Sequence, residues 1–246
     1  MEIDMPVAKK PLIRNLSEQV ADQIGTRILS GGYKPGYTIP DEQVLCNEFG
    51  VSRTVIREAV RTLVSKGMLE VRPRIGTTVL APRDWQLLDR AVLQWQQDIN
   101  IDGQQLKDLI ELRHAVEPNA AACAAERRSE EDVQAIGQAL AQMELTVGMN
   151  SEYVVADANF HIAILRAAKN RYFDALESAI FTGLLLSIRV TNPDASHNSA
   201  SFPLHKNIAD AIYAKEPAAA QQAMKLHLEH SAKRLQLNLP SVTPLV

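Results

Sequence analysis

Two groupings in the chain combine residue types and spacings that could do chemistry. Arg53, Arg57 and Arg61 recur at i, i+4 and i+8, which lines three guanidinium groups along one side of a helix. Such a stripe can hold phosphates or read guanine O6 and N7 with two hydrogen bonds from one fork. Thr54, in the same first turn, can reach a base edge or a thymine methyl. Farther along, Asp157 and His161 stand at i and i+4 and put a carboxylate and an imidazole on one helical face. His205 and His227 lie in later segments. Taken alone, each histidine serves as a surface or packing residue as readily as a ligand.

The arginine stripe needs a scaffold, and the surrounding sequence supplies one. Val55, Ile56, Ala59, Val60 and Leu63 form a broad apolar face on a helix from Arg53 to about Lys66, with Ser52 as its cap and Gly67 as its stop. An amphipathic helix over Leu16 to Leu29 precedes it, ended by Gly31-Gly32 and the Pro35-Gly36 turn. Asp41 caps a short helix to about Phe49, with Val44, Leu45 and Phe49 as its inner face and Gly50 as its end. Two strand-like runs follow, Met68–Arg72 and Thr77–Ala81, joined by Pro73-Arg74-Ile75-Gly76. Three short helices and a hairpin make a winged helix-turn-helix over residues 12–82.

A connecting helix within 83–103 offers Trp85, Leu88, Val92, Leu93 and Trp95 for packing. Beyond it, residues 104–236 read as helices at about 104–127, 130–147, 151–168, 171–190, 202–214 and 217–236. No alternating strand pattern or glycine-rich phosphate loop interrupts them. The fold expected is mainly α, a winged domain followed by an antiparallel all-helical bundle large enough to bury its own core.

Composition narrows the function. The 246 residues carry a net charge of −3, which averages unlike halves: residues 1–83 hold twelve Lys/Arg against nine Asp/Glu, and every histidine lies beyond residue 113. Aromatics at 5% argue against a β-sandwich or barrel. Cys46 and Cys123, the only cysteines, exclude a disulfide scaffold and a four-cysteine zinc site. No apolar run approaches the length of a membrane span, and MEIDMPVAKK does not read as a secretory leader, so a cytoplasmic protein is expected.

The stretch from Gly31 to Val79 resembles the DNA-binding domain of GntR-type bacterial transcription regulators, through Pro35-Gly36, Pro40, Val51-Ser52-Arg53-Thr54, Arg57-Glu58-Ala59 and Gly76. The resemblance implies operator contacts from Arg53, Thr54 and Arg57, with Arg74 to Gly76 entering the minor groove. Gln43 is a departure, since several relatives carry arginine there. The C-terminal region resembles the FadR branch, whose metal-binding members supply one Asp and three His; Asp157, His161, His205 and His227 fall on those positions. Such donors suit zinc, nickel, manganese or another first-row divalent ion better than calcium or magnesium. His230, one turn after His227, is a possible substitute ligand. Glu111 to Glu117 resembles the ligand-pocket helix, with Arg113 as the matching residue. Its fork can clamp a carboxylate or pair with Glu117 at i+4, and Arg189 is a second candidate anion contact. Pro118 removes a backbone donor beside that pocket.

The stretches AVLQWQQD and VEP are similar to regulators of sugar-acid catabolism. The function expected is a homodimeric regulator of double-stranded operator DNA, a repressor released by an aldonate, uronate or aldarate. Two other readings use the same residues: a metalloenzyme with an attached DNA-binding domain, and a regulator for which the metal is itself the signal. The enzyme reading lacks an evident general acid or base, and His227-Leu228-Glu229-His230 has the wrong spacing for a HExxH site.

Overall fold

The computed structural model describes residues 15–97, 99, 103–191 and 196–238, with the backbone alone at 103, 150, 187–191, 196–197 and 234–238. The chain divides into two compact units, residues 1–99 and 100–246.

In the first unit, α1 (Leu16–Leu29), α2 (Glu42–Phe49) and α3 (Arg53–Ser65) precede a hairpin of β1 (Leu69–Arg72) and β2 (Gly76–Val79). Side-chain oxygens start each helix: Asn15 accepts from Ser17 N, Asp41 from Val44 N and Ser52 from Val55 N. Gly50 ends α2 in the left-handed conformation at φ 64°, which sets the sharp turn into α3. Ile56, Ala59 and Leu63 of α3 are fully buried against Ile24, Ile28, Leu45 and Met68, while Val55 and Val60 flank them half-buried. One expectation fails here. Val44 is 50% exposed, and Cys46 takes the inward position beside Leu45, because the eight-residue α2 is too short to bury two faces.

The hairpin is antiparallel, pairing Leu69 with Val79 and Arg72 with Gly76, and Thr38 adds an isolated bridge to Thr78. Gly76 has φ 114°, and a Cβ there would meet Thr38 Cγ2 at 2.9 Å, so this turn requires glycine. Arg74 adopts φ 66° without being glycine, which aims the tip of the wing at a cost in backbone strain.

The expected connecting helix is shorter than its sequence pattern. A 3₁₀ turn at Pro82–Asp84 is followed by α4 (Arg90–Gln97), and Leu88 stays 54% exposed. Val92 and Trp95 instead bury against α1. Gly25, mid-helix in α1, makes this possible: any Cβ would stand 2.5 Å from the Trp95 ring. The Trp95 indole N–H donates to Asp22 Oδ1 at 2.8 Å, and Lys66 pairs with Asp89 at 2.7 Å. The start of this connector is therefore fastened to the end of α3, where Gln86 donates to the Ser65 and Lys66 carbonyls.

The second unit comprises α5 (Gly103–Arg127), α6 (Glu130–Thr146), α7 (Asn150–Ala167), α8 (Arg171–Ala175), α9 (Glu177–Thr191), α10 (Ser196–Tyr213) and α11 (Pro217–Asn238). Helix α5 packs on α7, α9 and α11, α6 on α7, and α10 on α11. The largest cluster of core residues includes Tyr153, Phe160, Ile164, Ile208, Ile212, Met224 and Leu228. A capping box at Ser129 and Asp132 starts α6.

Two expectations are corrected. The helix read over 171–190 breaks at Leu176 into α8 and α9 without proline or glycine; Leu176 N bonds to the Phe173 carbonyl at 3.0 Å, a tight turn that restarts the helix. The helix read from 202 begins at Ser196 and carries Pro203 inside it. Pro203 and Ser199 are both exposed, so the carbonyl that loses its proline-blocked donor meets water.

Candidate nucleic-acid interface and metal centre

In the winged unit, Arg53, Thr54 and Arg57 are exposed on α3, and Gln43 is exposed on α2. Arg53 Nη2 donates to Gln43 Oε1 at 2.7 Å, and Gln43 Nε2 donates to Asn47 Oδ1 at 3.2 Å. The glutamine therefore braces Arg53 at the helix start. Arg57 Nε lies 2.9 and 3.1 Å from the two Glu42 carboxylate oxygens. Their mutual bond pulls the Glu42 carboxyl below its ordinary range and raises Arg57. Arg61 turns instead to Glu58 at 2.6 Å. Arg74 and Gly76 are exposed at the wing. A groove of about 680 Å³, lined by Arg57, Val60, Arg61, Val71, Ile75 and Gly76 among others, separates α3 from the wing.

The second unit assembles the acidic and histidine positions. Asp157 and His161 come from α7, His205 from α10 and His227 from α11; all are buried, and one ligand atom from each lies within 4.8 Å of the others. Phe160 holds the cluster from one side, its ring edge-on to His205 with centroids 5.4 Å apart. His205 Nδ1 donates to the Ser201 carbonyl at 2.9 Å, which turns Nε2 to Asp157 Oδ1 at 2.9 Å. His161 Nε2 stands 3.2 Å from the same oxygen. The rings of His205 and His227 approach to 4.1 Å between centroids. His230, the possible substitute, is exposed on α11 and is not part of the cluster.

Behind the histidines lies a second buried group. Arg113 Nε donates to Glu117 Oε1 at 2.6 Å, and Glu117 Oε2 stands 2.5 Å from His161 Nδ1. The latter contact is at ion-pair distance but off the hydrogen-bond axis, so both atoms still lack a hydrogen-bond partner. Among the described residues, Arg113 Nη2, His161 Nε2 and His227 Nδ1 are also buried without one. Pro118 follows Glu117 inside a continuous α5, and the Asn119 side chain donates to the Ala115 carbonyl at 2.8 Å. The Arg189 side chain lies outside the described residues.

Opposed effects set the charges. Burial pushes Glu117 up, but the charge of Arg113 and then of His161 overrides it and holds the carboxyl at about 2. Burial pushes His161 down, and Glu117 and Asp157 together outweigh it to give about 9. Asp157 sits well below the usual carboxylate range, since His205 and His161 oppose the effect of burial. His227 goes the other way: burial and the charges of His205 and His161 hold it well below an ordinary imidazole.

This donor set fits a metal ion. A neutral buried imidazole with an unpartnered nitrogen, beside an ionised carboxylate and two further imidazoles, is chemistry that a divalent cation satisfies.

Comparison with known proteins agrees with both units. Residues 16–79 match the family described as bacterial regulatory proteins, gntR family, and residues 108–230 match the FCD domain. The galactonate operon transcriptional repressor of Escherichia coli is 32% identical over 224 residues, 90% of this chain and 97% of that protein. The chain belongs to the GntR family of bacterial regulatory proteins and carries an FCD domain. A GntR protein structure from Streptococcus agalactiae, 30% identical, covers 89% of this chain and 99% of its own with a TM-score of 0.50. Lar, which controls expression of the Listeria monocytogenes agr system, shares the fold at 18% identity, with a TM-score of 0.66 over 92% of this chain and 99% of its own. As a GntR-family member the chain is a DNA-binding transcriptional regulator, not an enzyme. Among the described residues, no helix is long and apolar enough to cross a membrane.

The sequence does not show the second contact of Glu117. Its spacing to Arg113 is visible as i and i+4, whereas its approach to His161 depends on how α5 and α7 pack.

Proposed function

We propose that the chain is a homodimeric, cytoplasmic repressor of a sugar-acid catabolic operon, released when a small carboxylate binds the helical domain. The observation that carries this reading is a cluster of Asp157, His161, His205 and His227 joined through Glu117 to a buried Arg113 whose Nη2 has no hydrogen-bond partner among the described residues. Zinc is the ion proposed, since imidazole and carboxylate donors suit it. It would supply a Lewis-acid anchor for an oxygen donor of the ligand.

Charge balance supports an acid ligand. With the three histidines neutral as metal ligands, a divalent ion and Arg113 bring three positive charges against the two carboxylates of Asp157 and Glu117, which leaves one unmatched in a buried site. A single carboxylate matches it, so aldonates and uronates fit better than dianionic aldarates. The name of the galactonate relative points to the same class.

On the DNA side, Arg53, Thr54 and Arg57 would meet the major groove, Gln43 would brace Arg53, and Arg74 with Gly76 would enter the minor groove. Two such heads would read the half-sites of a near-palindrome. To switch occupancy almost fully, the acid must prefer the DNA-incompetent state by roughly 10⁴-fold.

A thermal-shift screen of aldonates, uronates and aldarates on the full chain, with and without a chelator, tests the reading. A ligand at about one hundred times its Kd adds about 2.7 kcal/mol of stability. Stabilisation by an aldonate or uronate that disappears with chelator supports the proposal, and no response to any acid sinks it. Release of operator by zinc alone, with no acid present, would instead favour a metal sensor.

A further inference from the structure

The buried pair on α5 stands next to the histidine cluster without belonging to it, and only one of its two residues has an evident partner elsewhere. Glu117 is 1% exposed, and a buried carboxylate needs a reason to be there. Arg113, itself 4% exposed, neutralises one of its oxygens from the preceding turn of the same helix. The other oxygen is buried and has no hydrogen-bond donor among the described residues. It reaches across to α7 and stops 2.5 Å from His161 Nδ1.

His161 has only two ring nitrogens. With Nδ1 set against the Glu117 carboxylate at ion-pair distance, Nε2 is the atom left to face the cluster, and it is this atom that lies 3.2 Å from Asp157 Oδ1. His205 shows a related construction, in which Nδ1 donates a hydrogen bond to the Ser201 carbonyl and Nε2 is left inward. An acceptor on the outer nitrogen of an imidazole fixes its tautomer and rotation and makes the inner nitrogen a better donor.

Resting on the reading of the cluster as a metal centre, we propose that Glu117 is a positioning residue for that centre: it anchors His161 through Nδ1 and ties it to Arg113, so that ion and acid ligand engage one buried network. The arrangement gives Arg113 two separable functions. Its Nε holds Glu117 in place, and its Nη2 remains buried and unpartnered beside the network. An acid can therefore engage Arg113 without dismantling the support of His161.

The direct test is zinc affinity of the full chain, measured by competition with a chromophoric chelator. Glu117→Gln keeps the size of the side chain and removes its charge; it is expected to bind zinc 10- to 100-fold more weakly while the metal-free protein keeps its helical circular dichroism. Glu111→Gln, an exposed change on the same helix, should leave zinc affinity as it was. A Glu117→Gln protein with zinc affinity within twofold of the unaltered chain overturns the assignment.

Should that variant fail to fold, nitrogen NMR of the unaltered zinc-loaded protein decides the matter. His161 is expected to carry its proton on Nδ1 and the metal on Nε2, and metal on Nδ1 overturns the proposal. An unaltered chain that binds no zinc overturns the metal reading itself and this proposal with it. Normal zinc binding with an indifferent Glu117→Gln variant overturns only the role of Glu117.

Discussion

The two units each contain an arginine–glutamate pair, and burial makes the two pairs opposite in use. Arg57 and Glu42 meet at 2.9 Å with side chains 60% and 43% exposed. Arg113 and Glu117 meet at 2.6 Å with side chains 4% and 1% exposed. Water screens the first pair, so exchanging Glu42 for a DNA phosphate or base costs little. The second pair has no solvent to fall back on, and removing either partner strands a charge in the interior. If α3 reads DNA as proposed, its Arg–Glu contact is a resting position that Arg57 can leave. The same contact inside the helical unit is a fixed support.

The largest expected effect falls on the buried side. Glu117→Ala leaves Arg113 unpaired and should lower the stability of the metal-free chain by about 3–5 kcal/mol in urea unfolding. A loss below about 1 kcal/mol would mean that the interior relaxes enough to solvate Arg113, and the contrast between the two pairs would weaken.

Next comes the exposed arginine and the DNA contact proposed for it. Arg57→Ala should weaken operator binding by about 1–3 kcal/mol, roughly 5- to 150-fold at fixed salt, with zinc content and circular dichroism unchanged. Undiminished affinity at moderate salt would remove Arg57 from the interface.

The smallest effect is the most telling about screening. Glu42→Gln should change unfolding free energy by no more than about 1 kcal/mol while strengthening binding to unrelated DNA, because it frees Arg57 and removes a negative charge from the surface. Weaker binding to unrelated DNA would show that Glu42 presents Arg57 to the groove rather than restraining it.

Local periodicity carried most of the winged unit. The apolar spacing of Ile56, Ala59 and Leu63, the caps Asp41 and Ser52, and the glycine stops are short-range signals, and the three helices fall where those signals place them. Val44 departs from the expected inner face because a short helix leaves its orientation to packing against α3. In the second unit the helices were legible, but the joint at Leu176 was not, since no residue there forbids a helix.

The site divides in the same way. Asp157 and His161 share a turn of α7, so the pair shows in the sequence, and so does Arg113 with Glu117 on α5. That these two pairs meet at His161 Nδ1 does not show, because the contact joins residues 44 positions apart on helices whose packing only the folded chain reveals. His205 and His227 reached the ligand set through family resemblance, and the structure brings both to Asp157 and His161 within 4.8 Å.

Joint action of metal and acid in releasing DNA can be read in a single titration. The full chain would be bound to a fluorescent duplex selected from a random pool, and galactonate and glucuronate added while anisotropy is followed, first zinc-loaded and then after chelation. At least one of these acids should release DNA from the zinc-loaded protein, with the midpoint moving at least tenfold higher once zinc is removed. The same midpoint with and without zinc would contradict it.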